Sequence, residues 1–223
     1  MVLAIHETIA GTARLCSDPF RAAGAERDMD LAYVIAFLGG VLVFFATHYF
    51  SAFRRRDGGG LVEALGPGPY KGLYSLLTIA GFVALIWGYA NLKPWITVAE
   101  PPGFMRHIAM ALMLPAIILL VGAYAPTGFM KRAVKHPMLA AVKIWALAHL
   151  LVNWDVGSFI LFGSFLLFGV VDRIAVKRRG DLGAAAATPH IMGDLIALVF
   201  GFAVYGLMVF ELHYVLFGID LYG

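Results

Sequence analysis

The sequence predicts an all-α integral membrane bundle of about six transmembrane helices, and three observations carry that prediction. First, 61% of the 223 residues are hydrophobic and 14% are charged, against roughly 45–50% and about 25% in soluble domains. Second, the apolar residues fall into six stretches near the length that crosses a bilayer as a helix, about 20 residues. Third, the short loops between the stretches alternate in positive charge, as membrane topology requires.

The elements follow in order. Residues 1–28 mix charged and apolar types and read as an N-terminal tail. They lack the apolar core after a basic start that marks a secretory signal. Residues 29–223 form the transmembrane domain. Span one, 31–53, carries no charge, and span two, 72–92, lies between Lys71 and Lys93-Pro94. Span three, 108–124, contains Pro115, which removes one helical hydrogen bond and kinks the helix. Span four, 138–152, is short and is interrupted by Lys143, whose long stem can carry its ammonium to the interface. Span five covers 156–171, and span six covers 192–217 with Glu211 and His213 near its end. Gly58-Gly59-Gly60 and Gly66-Pro67-Gly68-Pro69 break the first loop into turns. Asp172-Arg173 is expected to pair internally or to cap span five, and Asp155 to lie at the outer rim.

Charge sets the orientation. The loops after spans one, three and five hold Arg54, Arg55, Arg56 and Lys71, then Lys131, Arg132 and Lys135, then Arg173, Lys177, Arg178 and Arg179. The other side holds only Lys93 and Arg106. The basic loops are therefore expected on the cytoplasmic side of the membrane. The formal charge of +3 resides in loops, so it does not argue for nucleic acid. Cys16 stands alone, which excludes an internal disulfide. No phosphate-cradling glycine loop, serine triad or zinc spacing is present.

Polar groups at membrane depth need an explanation, because hydrocarbon cannot solvate them. His48 and His149 stand out. His48 lies seven residues before Arg55, roughly 10 Å inside the basic side, and its helix face carries Phe44, Phe45 and Ala52. Trp145, His149 and Asn153 share one face of span four at i, i+4 spacing. Depth alone groups His48 with His136, and His149 with His107 and His213. Two imidazoles from different helices, one on each side of a planar macrocycle, would make a haem b site. Gly39, Gly40, Ala46, Ala146 and Ala148 would leave room for it. The absence of Cys-x-x-Cys-His makes any such haem non-covalent. The structural alternative is a buried neutral histidine that donates to a backbone carbonyl and does nothing else.

Four segments carry a resemblance: Lys71-Gly-Leu-Tyr-Ser-Leu, His136-Pro-Met-Leu-Ala, Trp145-Ala-Leu-Ala-His149-Leu-Leu and Phe168-Gly-Val-Val-Asp172-Arg173-Ile. They resemble the NnrU family of bacterial membrane proteins over about residues 30–220. That resemblance implies an association with denitrification and nitric oxide metabolism. The same block is similar to the 15-cis-zeta-carotene isomerase of plants and cyanobacteria, a membrane haem b enzyme. This second resemblance implies His48 and His149 as axial ligands, pairing histidines that depth alone does not pair. The isomerase has a further cysteine three residues before its second histidine; this chain has Ala146 there, so no cysteine ligand carries over.

Three functions compete on this reading. The first is a haem-binding membrane protein in which His48 and His149 hold iron, His136 and Asn153 support them, and a polyene or a gas is the ligand. The second is a non-enzymatic accessory or sensor without haem. The third, an S-adenosylmethionine-dependent membrane methyltransferase, rests on Lys135-His136-Pro137 alone and lacks the arginine, aromatic residue and glycine of that pattern. Pro137 opening a helix accounts for that tripeptide more simply.

Overall fold

A computed structural model describes residues 19–53, 60–92 and 94–221, with side chains from Asp30 onward. Helices make up the fold: α1 Pro19–Phe53, α2 Leu61–Leu65, α3 Pro67–Asn91, α4 Met105–Tyr124, α5 Phe129–Val134, α6 Pro137–Val152, α7 Val156–Arg178, α8 Ile191–Leu207 and α9 His213–Phe217. A π-turn, Met208–Leu212, joins the last two. Five segments are long and apolar enough to cross a membrane, and the chain is a multi-pass membrane protein. The remaining predicted span, span four, is α6, whose 16 residues rise about 24 Å, short of a hydrocarbon core of about 30 Å.

Prolines and glycines set several boundaries. Pro67 and Pro137 stand at the starts of α3 and α6, where their missing N–H costs nothing. The expected end of span five at 171 is overrun, and α7 continues to Arg178. Asp172-Arg173 ends the apolar run but not the helix. The helix is closed by Gly180 at φ +66, with the Asp181 N–H donating to the Val176 carbonyl. Helix α1 begins at Pro19, inside the segment read as a tail. Arg54, Arg55, Arg56 and Lys93, used above to orient the chain, lie outside the described residues.

The chain divides into two compact units. The first holds the chain up to Phe44 together with 65–94, so its core is α1 against α3. Glycines bring these two backbones into contact. A Cβ on Gly40 would overlap the Leu85 nitrogen, and one on Gly88 would overlap the Phe37 nitrogen. Small residues permit this approach where lipid offers no hydrophobic drive to pack helices. Phe37 and Leu85 are sealed at the contact, and Tyr33 meets Trp87 edge-on at 4.9 Å.

The second unit is 45–64 with 95–223. Helix α4 packs on α6 and on α8, and α7 packs on α6. Ala116, Ile117 and Ile118 of α4 are buried, with Ile118 against Gly201 of α8. The α4 helix runs on through Pro115. The Tyr205 hydroxyl donates to the Met110 carbonyl at 3.1 Å. That carbonyl is the neighbour of the Ala111 carbonyl, which loses its helical donor to the proline, so α8 braces the loosened turn.

Loops at the two ends of this unit are tied by polar contacts. At one end, Asp155 caps α7 by accepting from the Ser158 N–H and hydroxyl, both at 2.7 Å. Beside it, the Val98 N–H donates to the Trp154 carbonyl and the Val156 N–H to the Ile96 carbonyl. At the other end, the Asp194 carboxylate accepts from the N–H groups of Phe129 and Met130, at 2.8 and 3.0 Å. Lys131 donates to the carbonyls of Ala123 and Ala125 that end α4, where a positive charge suits the helix dipole.

Candidate functional site

The histidine of α1 meets α7. His48 sits edge-on to Phe168, with ring centroids 5.3 Å apart. Tyr49 approaches the same ring at 5.5 Å. Phe45, one turn before Tyr49, meets Phe165 edge-on at 5.0 Å.

The histidine of α6 meets α7 too. His149 stacks on Phe162 at 4.6 Å, and Trp145 meets Phe162 and Phe165 edge-on at 5.2 and 5.3 Å. Three phenylalanines at i, i+3, i+6 of α7 therefore form a seam with one histidine at each end. Phe162 and Phe168 are six residues apart, about 9 Å along the axis. The imidazoles thus meet α7 at different levels, with Phe165 between them.

A local hydrogen bond fixes the chemistry of His149. Its Nδ1 lies 2.9 Å from the Trp145 carbonyl. A carbonyl only accepts, so Nδ1 carries the proton and Nε2 keeps its lone pair. Backbone hydrogen bonds of this kind orient ligating histidines. The same bond equally satisfies a histidine that only packs.

The other predicted site residues are placed differently. Asn153 donates to the backbone carbonyl of His149 at 2.9 Å, so it supports the helix end rather than the ring. His136 stands thirteen residues before His149 on the same helix, about 20 Å away along its axis. Its Nε2 donates to the Asp181 carbonyl at 3.1 Å, and the Ala184 N–H donates to the Lys135 carbonyl. His136 thus fastens the loop that follows α7 to the start of α6. His213 bonds the Ile219 carbonyl through Nδ1 at 3.1 Å.

The small residues also sort themselves. The space beside Gly40 is taken by α3, so it leaves no room for a macrocycle. Ala146 and Ala148 are fully packed. Lys143 lays its stem over Gly169, where a Cβ would come within 2.6 Å of Cγ. Among the described residues, no group of three or more His, Cys, Asp and Glu side chains could hold a bare metal ion. A haem iron needs fewer, since the porphyrin nitrogens supply its equatorial ligands.

Sequence reasoning missed the phenylalanine seam. The three-residue spacing of Phe162, Phe165 and Phe168 was the available signal. It also missed Asp194, whose partners lie 65 and 64 residues earlier.

The architecture and these residues define a helical multi-pass membrane protein with two histidines on one aromatic seam. The chain belongs to the NnrU family: the family model described as NnrU protein matches residues 36–221. No curated protein and no solved structure matches the chain.

Proposed function

We propose that this NnrU-family protein binds haem b non-covalently through His48 and His149 and serves nitric oxide or denitrification metabolism, or an isomerase-like reaction on a polyene. The observation that carries the reading is the Nδ1–H of His149 bound to the Trp145 carbonyl, which leaves Nε2 as a donor to iron. The donor set is of the kind a haem takes: one imidazole on each of two helices, beside aromatic side chains. When bound, haem supplies an iron that exchanges electrons or takes up a small gas. The chain's own part is to hold the tautomer of His149, to place His48 from α1, and to keep the site dry with Trp145, Phe162 and Phe165.

An absorption spectrum of the detergent-purified protein, oxidised and reduced, tests this beside His48→Ala and His149→Ala. A low-spin haem b spectrum lost or altered in both variants is expected. Wild-type protein that stays haem-free after supplementation would sink the proposal. It would favour the accessory reading, which the stacking of His149 on Phe162 also supports as plain packing.

The same proposal places the protein in a bacterial inner membrane with its basic loops in the cytoplasm. The end of the second unit with Lys131, Arg132, Lys135, Lys177 and Arg178 supports that orientation. Reporter fusions after Arg179 should read cytoplasmic; a periplasmic signal there would reverse the topology.

A further inference from the structure

We propose that the basic end of the second unit binds an anionic phospholipid, with Arg132, Lys135 and Lys177 on the headgroup phosphate and Phe129 and Leu182 against its acyl chains. The site starts about 20 Å along α6 from His149 and stands whether or not haem binds.

Hydrogen bonds gather these residues from three segments. Lys135, between α5 and α6, stands at φ 68 and ψ −51. The His136 N–H closes this turn on the Val134 carbonyl at 2.8 Å. Such a tight three-residue turn is rare and strained for a residue with a side chain. The segment after α7 holds it in place. The Ala184 N–H donates to the Lys135 carbonyl at 2.9 Å, and His136 Nε2 donates to the Asp181 carbonyl at 3.1 Å. The Asp181 N–H in turn donates to the Val176 carbonyl, which keeps Lys177 beside the same junction. A glycine would adopt the turn at Lys135 freely. The chain instead places an exposed ammonium there.

Charged and apolar side chains alternate over this junction. Phe129 and Arg132 share one face of α5 at i, i+3 spacing, and Arg132, Lys135 and Lys177 are exposed. Phe129 and Leu182 are each 57% exposed. Leu182 lies between Asp181, which accepts from His136, and Gly183, which packs on the His136 ring. The acids at this end serve the backbone: Asp181 accepts from the Gly183 N–H, and Asp194 from those of Phe129 and Met130.

A free phosphate would match the cations alone. A phospholipid matches the whole surface. Its phosphate takes charge-assisted hydrogen bonds, as basic residues at the ends of spans do with anionic headgroups, and its chains cover Phe129 and Leu182.

Full-length protein in detergent is titrated with phosphatidylglycerol, phosphatidylcholine and inorganic phosphate, and bound molecules are counted by native mass spectrometry. Wild type should prefer phosphatidylglycerol to phosphatidylcholine, and inorganic phosphate at equal concentration should not displace it. Arg132→Gln and Lys135→Gly should each weaken phosphatidylglycerol binding about fivefold, the effect of one basic residue at a lipid surface. Lys135→Gly relieves the strained turn as it removes the charge, so weaker binding there is not a folding defect. Arg106→Gln, at the opposite end of α4, should bind as wild type does. Equal binding of the two lipids, full affinity in Arg132→Gln and Lys135→Gly, or an equal loss in Arg106→Gln would overturn the site. Displacement by inorganic phosphate would assign the cations to a soluble anion and overturn the lipid.

Discussion

Two helix contacts in this protein are built on opposite plans. Where α1 meets α3, glycines let backbone touch backbone, and a single added carbon would overlap a main-chain nitrogen. Where α6 meets α7, large rings fill the interface: His149 on Phe162, and Trp145 on Phe162 and Phe165. The first plan has no slack, because main-chain atoms cannot step aside without bending a helix. The second is made of side chains that can change rotamer, and it is the contact that carries an imidazole. Close backbone packing suits a fixed strut, while ring packing leaves side chains that can repack.

The largest expected effect lies in the first contact. Gly40→Ala should cost about 3 kcal/mol, the upper part of the ordinary range for overpacking, read from reversible unfolding in detergent or bicelles. A cost under about 1 kcal/mol would mean that the helices separate easily and would break the comparison. Phe165→Leu comes next, at about 1 kcal/mol, because a large apolar side chain is replaced by a smaller one at a half-buried site. A cost above that of Gly40→Ala would reverse the ranking of the two contacts. The smallest effect is the control beside the first. A Cβ on Gly39 meets nothing within 4 Å, so Gly39→Ala should be neutral or should stabilise by about 0.5 kcal/mol through helix propensity.

The difference between Gly39 and Gly40 also shows what the sequence could convey. The adjacent glycines looked alike as room for a macrocycle, and only the position of α3 separates them. The spans themselves were legible because apolar runs and basic loops are local signals, and the starts at Pro67 and Pro137 follow from the missing proline N–H. The end of α7 was not legible from hydropathy, since leaving the apolar run at Asp172 and ending the helix at Gly180 are separate events. Of the candidate site, the shared face of Trp145, His149 and Asn153 was readable from their spacing. That His136 would hold a loop carbonyl depended on Asp181, 45 residues away. That His48 and His149 would meet the same helix depended on Phe162 and Phe168, whose three-residue spacing with Phe165 was their one mark among many phenylalanines.

The Asp194 contact has a consequence for how the chain is made. Helix α5 owes two of its first N–H bonds to a carboxylate that follows Phe129 by 65 residues. At about 5–20 residues per second of synthesis, that carboxylate emerges roughly 3–13 s after the amides it will accept from. During the interval α6 and α7 must enter the bilayer while α5, between α4 and α6, has no acceptor from Asp194 at its first turn. The last long helix therefore finishes a turn begun three helices earlier, and a ribosome that stops short of residue 194 leaves that turn unfinished.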